Sequence, residues 1–222
     1  MLVSAREGHR IWAASYDSGL NPLLALQARL LPEVIGPVES RRVVDVACGT
    51  GRWAAYLLER GADVIGVDFS DEMLNRAPAR VRSRLVLADG ASLPIASDTV
   101  DLTICCFAAA YFPDLERAVS EMARITRPGG RLVISDLHPA GVEAGWTRSF
   151  RVDGAVYEME HFRYSLEQIG RTVCRTGLAS LSELHAAFGE PEREIFEAAD
   201  KMAIFAAVSK VPALWIGSWR KV

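Results

Sequence analysis

The sequence predicts an α/β domain built on a mostly parallel sheet with helices on both faces. Short β-rich apolar runs alternate with amphipathic stretches along most of the chain, and Gly- or Pro-containing turns punctuate them. Parallel strands need crossover connections, and the helices that make those crossovers must cover the sheet.

The first strand is read at Arg42 to Ala47, ending in the turn Cys-Gly-Thr-Gly. A helix follows from Arg52 to about Arg60, with Trp53, Ala54, Leu57 and Leu58 at helical spacing and Gly61 in the position where helices end left-handed. Ala62 to Asp68 is the second strand, and Ser70 caps a short helix through Met73 and Leu74. Arg84 to Ala88 and Val100 to Cys106 are the third and fourth strands. Leu115 to Ile125 is helical, Pro128-Gly129-Gly130 breaks it, and Arg131 to Ser135 is the fifth strand.

Two regions leave this rhythm. Residues before the first strand, up to Ile35, read as helical with a leucine-rich face, and His138 to Arg163 read as a long mixed connection. Ser165 opens another helix with Gln168 as its capping-box partner, and Pro212 to Trp219 reads as the last strand. Without repeats or a low-complexity linker, the 222 residues are expected to form one domain. Residues 1–40 form its N-terminal helical cap, 41–136 a ligand-binding half, and 137–222 the remainder.

A net charge of −3 gives no general attraction to nucleic acid or anionic membrane. Arg76, Arg80, Arg82 and Arg84 form the one dense basic cluster, but no aromatic residues interleave with it for base stacking, so it reads as a solvated surface. Cys48, Cys105, Cys106 and Cys174 show neither metal-ligand nor disulfide spacing, and no metal is expected. The N-terminus lacks a basic stretch followed by an apolar core, and no apolar run approaches a membrane span, so a cytoplasmic location is expected.

The loop after the first strand carries the chemistry. In Val43-Val44-Asp45-Val46-Ala47-Cys48-Gly49-Thr50-Gly51-Arg52, a Gly-rich turn lets the backbone approach a ligand and aims free helix N–H groups at its anionic part. Asp68, 17 positions beyond Gly51 at the end of the second strand, can accept both hydroxyls of a ribose. A dinucleotide reading, and with it an NAD-dependent oxidoreductase, is disfavoured because the third glycine of GxGxxG is missing. Asp45, just before the turn, repels phosphates and favours a cation, so the site reads as built for a zwitterionic, positively charged nucleoside.

The segments DVACGTGRW, VIGVDFSDEML, LVLADGASLPIASDTVDLTIC and RPGGRLVISDLHP resemble successive motifs of class I S-adenosylmethionine-dependent methyltransferases, especially the branch related to ubiquinone and menaquinone biosynthesis enzymes. The resemblance covers about Val43 to Pro139 and implies a Rossmann-like, seven-stranded fold. It implies that Asp45, Ala47, Gly49, Thr50 and Gly51 hold the methionine end, with Ala47 replacing the glycine most members carry. It implies Asp68 at the ribose, Phe69 and Met73 beside the adenine, and Asp89 at the exocyclic amine with Gly90 and Ala91 alongside. Cys106 and Phe107 would flank the sulfonium, and Tyr16 would close the pocket.

The stretch Cys105 to Tyr111 lacks the Asn/Asp-Pro-Pro-aromatic motif of nucleic-acid amino methylation, a glutamate pair for arginine, and an acid for magnesium. A metal-independent enzyme acting on a small, partly apolar acceptor is the expectation that remains, against the alternative of a non-catalytic binding or partner module. His138, just past the fifth strand, is the first candidate for a general base, with Tyr111 and His161 behind it; the alternative for His138 is a role in the His-Pro turn. Glu143, Trp146, Phe150 and Tyr157 could form a lid, whereas His9 and His185 lack any constellation. Either a monomer or a homodimer fits the sequence.

Overall fold

The computed structural model describes all of residues 1–222. A short strand β1 (Leu2–Val3), helix α1 (Ala5–Trp12) and helix α2 (Pro22–Ile35) precede the main sheet. Next come β2 (Arg42–Val46), α3 (Arg52–Glu59), β3 (Asp63–Asp68), α4 (Asp71–Leu74), α5 (Ala79–Arg82), β4 (Leu85–Leu87) and β5 (Val100–Cys106). A 3₁₀ turn (Ala109–Tyr111), α6 (Leu115–Ile125), β6 (Thr126–Leu137), α7 (Pro139–Glu143), β7 (Ser149–Val152) and β8 (Ala155–Met159) follow. The chain closes with α8 (Leu166–Arg175), β9 (Leu178–Ala186), α9 (Glu190–Ala198), α10 (Met202–Val208) and β10 (Leu214–Lys221).

Seven strands form one sheet in the order β4-β3-β2-β5-β6-β10-β9. All neighbours are parallel except β10, which runs antiparallel to both β6 and β9. The chain winds outward from β2 in one direction and returns through β5 in the other, so β2 and β5 flank the topological switch point where open α/β sheets bind ligands. Alternation along β2 shows why the sheet is covered on both faces. Val43 packs with Leu26, Trp53, Leu57 and Phe196 on one side, while Val44 and Val46 pack with Val119, Met122 and Ile169 on the other. No helix is long and apolar enough to cross a membrane.

Three expectations need correction. The Pro-Gly-Gly segment lies inside a strand: β6 starts at Thr126, and its pairing slips from Val100↔Thr126 to Leu102↔Arg131. That bulge leaves Gly130 no room for a side chain, since a Cβ would lie 2.8 Å from the Arg127 carbonyl oxygen. The supposed loop from His138 to Arg163 contains α7 and a hairpin, β7–β8, which pairs with β1 in a second, three-stranded sheet. The first 40 residues are therefore not purely helical. The hairpin signal was present in Asp153-Gly154, whose φ values of 49° and 78° match the left-handed pair a tight two-residue turn requires. Strand β9, which has no counterpart among the runs read above, is a largely exposed edge strand and lacks the apolar run of a buried one.

Candidate active site

A cavity of about 670 Å³ opens at the C-terminal ends of β2, β3 and β5. The loop after β2 shapes its floor by placing Ala47, Gly49 and Gly51 at φ of 57°, 57° and 73°. The two glycines take this left-handed conformation freely, whereas Ala47 pays for its Cβ with about 1–2 kcal/mol. At the end of β5 a second non-glycine, Phe107, is held at φ 54° while its N–H donates to the Ser135 carbonyl oxygen at 2.7 Å. Backbone of this kind persists where the surroundings over-determine it, and it clusters at functional sites.

Two buried carboxylates face this loop. Asp68, at the end of β3, accepts the Gly49 N–H on Oδ2 at 2.7 Å and the Ser70 N–H on Oδ1 at 2.9 Å, tying the loop to the start of α4. Burial raises its pKa, and the two backbone hydrogen bonds and nearby His9 counter part of that rise. Asp45 is only 1% exposed, and its Oδ2 has no hydrogen-bond partner. Burial, reinforced by the Asp68 charge, pushes its pKa up to about 7, with Arg52 pulling the other way. The Thr50 hydroxyl is likewise buried and unpartnered. Gln27, fully buried on α2, braces the surrounding wall: its Oε1 accepts from Arg52 at 2.6 Å and from Trp53 Nε1 at 2.8 Å, and its Nε2 donates to Ser135 at 2.7 Å.

The residues singled out in the sequence fall as follows. Tyr16, Asp45, Ala47, Gly49, Thr50, Asp68, Phe69, Met73, Asp89, Gly90, Cys106 and Phe107 all line the cavity. Gly51 and Ala91 do not; Gly51 is the N-cap of α3, and the Ala91 N–H donates to Asp89 Oδ1 at 2.8 Å. Gly90 is packed so closely that a Cβ would sit 2.8 Å from the Phe112 ring. Burial pushes the Tyr16 hydroxyl up to about 12, so it stays neutral.

A smaller chamber of about 110 Å³ adjoins the first, and His9, Tyr16, Phe107 and Tyr111 line both. Its remaining wall comes from Trp12, Leu23, Leu24, Leu137, Arg148 and Met159, among others. Trp12 stacks on Phe150 at 4.8 Å, and Phe150 stacks on Tyr157 at 5.4 Å, so α1 and the β7–β8 hairpin close this side together.

His138 lies elsewhere. It caps α7 by accepting the Ala140 N–H on Nδ1 at 3.0 Å, and its Nε2 bonds His185 Nδ1 at 2.9 Å. Both ring nitrogens are engaged and the residue lines neither chamber, so the histidine of the His-Pro turn is a cap. His161 donates from Nδ1 to the Met159 carbonyl oxygen at 3.1 Å and lines a third cavity of about 340 Å³. Tyr111 reaches both chambers, but burial pushes its hydroxyl up to about 12, leaving it a donor and no base near neutral pH. Trp146 packs on Phe188 in the core and Glu143 is exposed; none of the four residues expected in a lid lines either chamber, and Phe150 and Tyr157 stack behind Trp12. Three of the four clustered arginines are spent on local partners, Arg80 with Glu59, Arg84 with Asp63, and Arg82 with the Ala77 carbonyl oxygen.

His9 is the residue sequence reasoning missed. Its Nδ1–H donates to the Ala5 carbonyl oxygen at 2.7 Å, which leaves Nε2 as a lone pair. The ring sits edge-on to Tyr111 at 5.2 Å and to Phe69 at 6.1 Å, and burial lowers its pKa. The signal was its spacing: His9, Trp12, Ala13 and Tyr16 recur at helical positions that share one face.

A sheet with this strand order, bearing an acid-flanked turn at its switch point, defines a nucleoside-cofactor enzyme of the α/β class. Residues 44–134 match the family described as Methyltransferase domain. A demethylmenaquinone methyltransferase from Deinococcus radiodurans is 31% identical over 192 residues, covering 81% of this chain and 76% of that protein. Another from Thermus thermophilus is 39% identical over 106 residues, and there the match spans only about half of either chain, 45% and 48%. A solved S-adenosylmethionine-dependent methyltransferase from Mesorhizobium loti shares the fold at a TM-score of 0.70 and 21% identity, covering 90% of this chain and 100% of that one. The chain belongs to the class I S-adenosylmethionine-dependent methyltransferases. It is accordingly an enzyme, and its cofactor is S-adenosylmethionine.

Proposed function

We propose that this enzyme methylates a small, partly apolar acceptor seated in the 110 Å³ chamber, by in-line displacement without a metal. The observation that carries the reading is the shared boundary of the two chambers at His9, Tyr16, Phe107 and Tyr111. For the cofactor we assign the methionine end to Asp45, Ala47, Gly49, Thr50 and Gly51. The ribose falls to Asp68, and the adenine to Phe69, Met73, Asp89, Gly90 and Ala91. Cys106, Phe107 and Tyr16 lie toward the sulfonium. The unpartnered Asp45 Oδ2 and Thr50 Oγ1 support this, since a cationic amino-acid moiety supplies the hydrogen bonds both lack. Bound S-adenosylmethionine supplies a methyl group already activated by its sulfonium.

The protein's own work is then alignment, exclusion of water and removal of a proton. Orientation of two held reactants is worth up to about 7–11 kcal/mol. His9 is the base we assign, because burial favours its neutral form, its Nδ1–H is committed to Ala5 and leaves Nε2 as the lone pair, and the residue lines both chambers. The test supplies methyl-labelled cofactor with panels of oxygen, nitrogen and carbon acceptors. Label should enter a small acceptor, and His9→Ala should lower turnover by about 10²–10⁴-fold. Wild-type turnover in His9→Ala removes the base from the proposal. Undiminished transfer in Leu24→Trp, which fills the smaller chamber, removes the acceptor site.

A further inference from the structure

Two hydrogen-bond donors beside the smaller chamber have no adequate acceptor in the protein. Arg148 precedes β7, and its side chain is only 10% exposed. One end of the guanidinium, Nη2, donates to Asp136 Oδ1 at 2.5 Å, but the Nε–H is buried and bonds nothing. A charged N–H left unsatisfied out of water is costly, so its persistence calls for a partner. The Tyr111 hydroxyl beside it accepts from the Arg148 guanidinium, but as a donor it finds only the Met159 sulfur, at 3.9 Å, which is a weak acceptor. The guanidinium carbon lies 5.2 Å from the centre of the Tyr111 ring, and both residues line the smaller chamber.

Resting on the assignment of this chamber to the acceptor, we propose that Arg148 and Tyr111 form an oxygen clamp. The acceptor then carries a carbonyl, enol or phenol oxygen next to the atom that is methylated. Arg148 Nε–H and Tyr111 O–H both donate to that oxygen. The charge balance narrows the class. Asp136 already neutralises the guanidinium and is itself fixed by the Leu137 N–H at 2.7 Å and the Ala110 N–H at 3.3 Å. The clamp therefore offers directed donors without net positive charge, which suits a neutral oxygen better than a permanently ionised carboxylate. It also has a use during reaction. When a proton leaves the acceptor for His9 Nε2, the electron pair left behind is delocalised onto the held oxygen. Two preorganised donors then stabilise the charge developing there.

The test uses the enzyme saturated with S-adenosylhomocysteine and follows the Trp12 indole N–H resonance while phenol, toluene or benzoate is titrated in. Phenol should bind tighter than toluene by on the order of tenfold or more. Benzoate should gain nothing over toluene. Arg148→Lys keeps a cation opposite Asp136 but removes the Nε–H, and Tyr111→Phe removes the hydroxyl with little risk to folding. Each should shrink the preference for phenol, and the double variant should erase it. If phenol and toluene bind equally to the wild-type protein, or the preference survives both substitutions, the clamp is refuted while the chamber stands. If benzoate binds best, the acceptor class is wrong. If no probe perturbs Trp12, the chamber is not the acceptor site, and the underlying reading falls with the clamp.

Discussion

Asp45→Asn should strengthen the free protein and weaken its grip on the cofactor, two opposite effects from one carboxylate. The folded-state pKa of Asp45 is about 7, above the 3.8 of an unburied aspartate. The free protein thus holds a proton that the unfolded chain has released, and stability falls as pH rises between about 4 and about 7. A shift of that size corresponds to at most about 4 kcal/mol above pH 7, and relaxation around a buried group brings the expected gain to about 1–3 kcal/mol. For a domain of this size that is a rise in Tm of about 2–12 °C at pH 7.5. Binding works in the other direction, because a cationic amino-acid group favours the ionised carboxylate. About half of Asp45 is ionised at pH 7 and about a tenth at pH 6, so affinity for S-adenosylmethionine should fall about fivefold over that unit. Calorimetry at pH 6 in two buffers of different ionisation enthalpy should count close to one proton released per ligand bound. In Asp45→Asn the proton release disappears, and affinity at pH 7.5 drops by about 10–100-fold. If S-adenosylhomocysteine shows the same proton release, the carboxylate meets the ammonium; release confined to S-adenosylmethionine points to the sulfonium. A variant that melts no higher and binds as well as wild type would falsify the assignment of Asp45.

Ala47→Gly should raise stability by about 0.5–1 kcal/mol, because relief of the left-handed strain exceeds the added freedom of the unfolded chain; thermal melts in two-state conditions test it. Gln27→Leu should cost about 2–3 kcal/mol by stranding the buried Trp53 Nε1–H and the Arg52 guanidinium, and denaturant titration would show whether that wall is as braced as the bonds imply. At saturating cofactor, wild-type turnover should fall with acidity only below the usual imidazole range, since burial lowers the His9 pKa and the base works when neutral. That acid limb should be absent from the residual activity of His9→Ala.

The cofactor half was legible because its determinants are local. Strand, acid, turn and helix lie within Val43 to Arg52, and Asp68 follows one crossover later at the end of the adjacent strand. The smaller chamber was not, because its wall is drawn from α1, the turn at Tyr111, the end of β6 and the residues around β7–β8, which meet only when β1 pairs with β8. No local pattern encodes that pairing, although the Asp153-Gly154 turn and the spacing of His9, Trp12 and Tyr16 were readable. His138 illustrates the complementary failure. Its position past a strand's C-terminal end is where ligands bind, yet β6 is followed directly by α7, and a histidine before a proline can satisfy a helix N–H instead.

Three of the six buried side-chain atoms without a partner belong to residues of the two chambers. Asp45 Oδ2 and Thr50 Oγ1 border the larger cavity, and Arg148 Nε lies at the smaller one, while the strained Ala47 and Phe107 sit at the two strand ends on either side of the switch point. Elsewhere Thr103 pairs with Thr126, Gln27 has three partners, and Glu192 pairs with Arg29 and the Gly189 N–H, whereas Arg131 Nε, His161 Nε2 and Trp215 Nε1 are buried without a partner outside both chambers. A sequence selected for stability alone would have filled the chamber positions with neutral or apolar side chains, at little loss elsewhere in the sheet. Ligands of the right polarity in the two chambers would supply partners to Asp45, Thr50 and Arg148 and so lower the free energy of the folded state. On that argument the cofactor and the acceptor should each raise the melting temperature, and the cofactor's contribution should shrink as pH falls through 7 while the acceptor's persists.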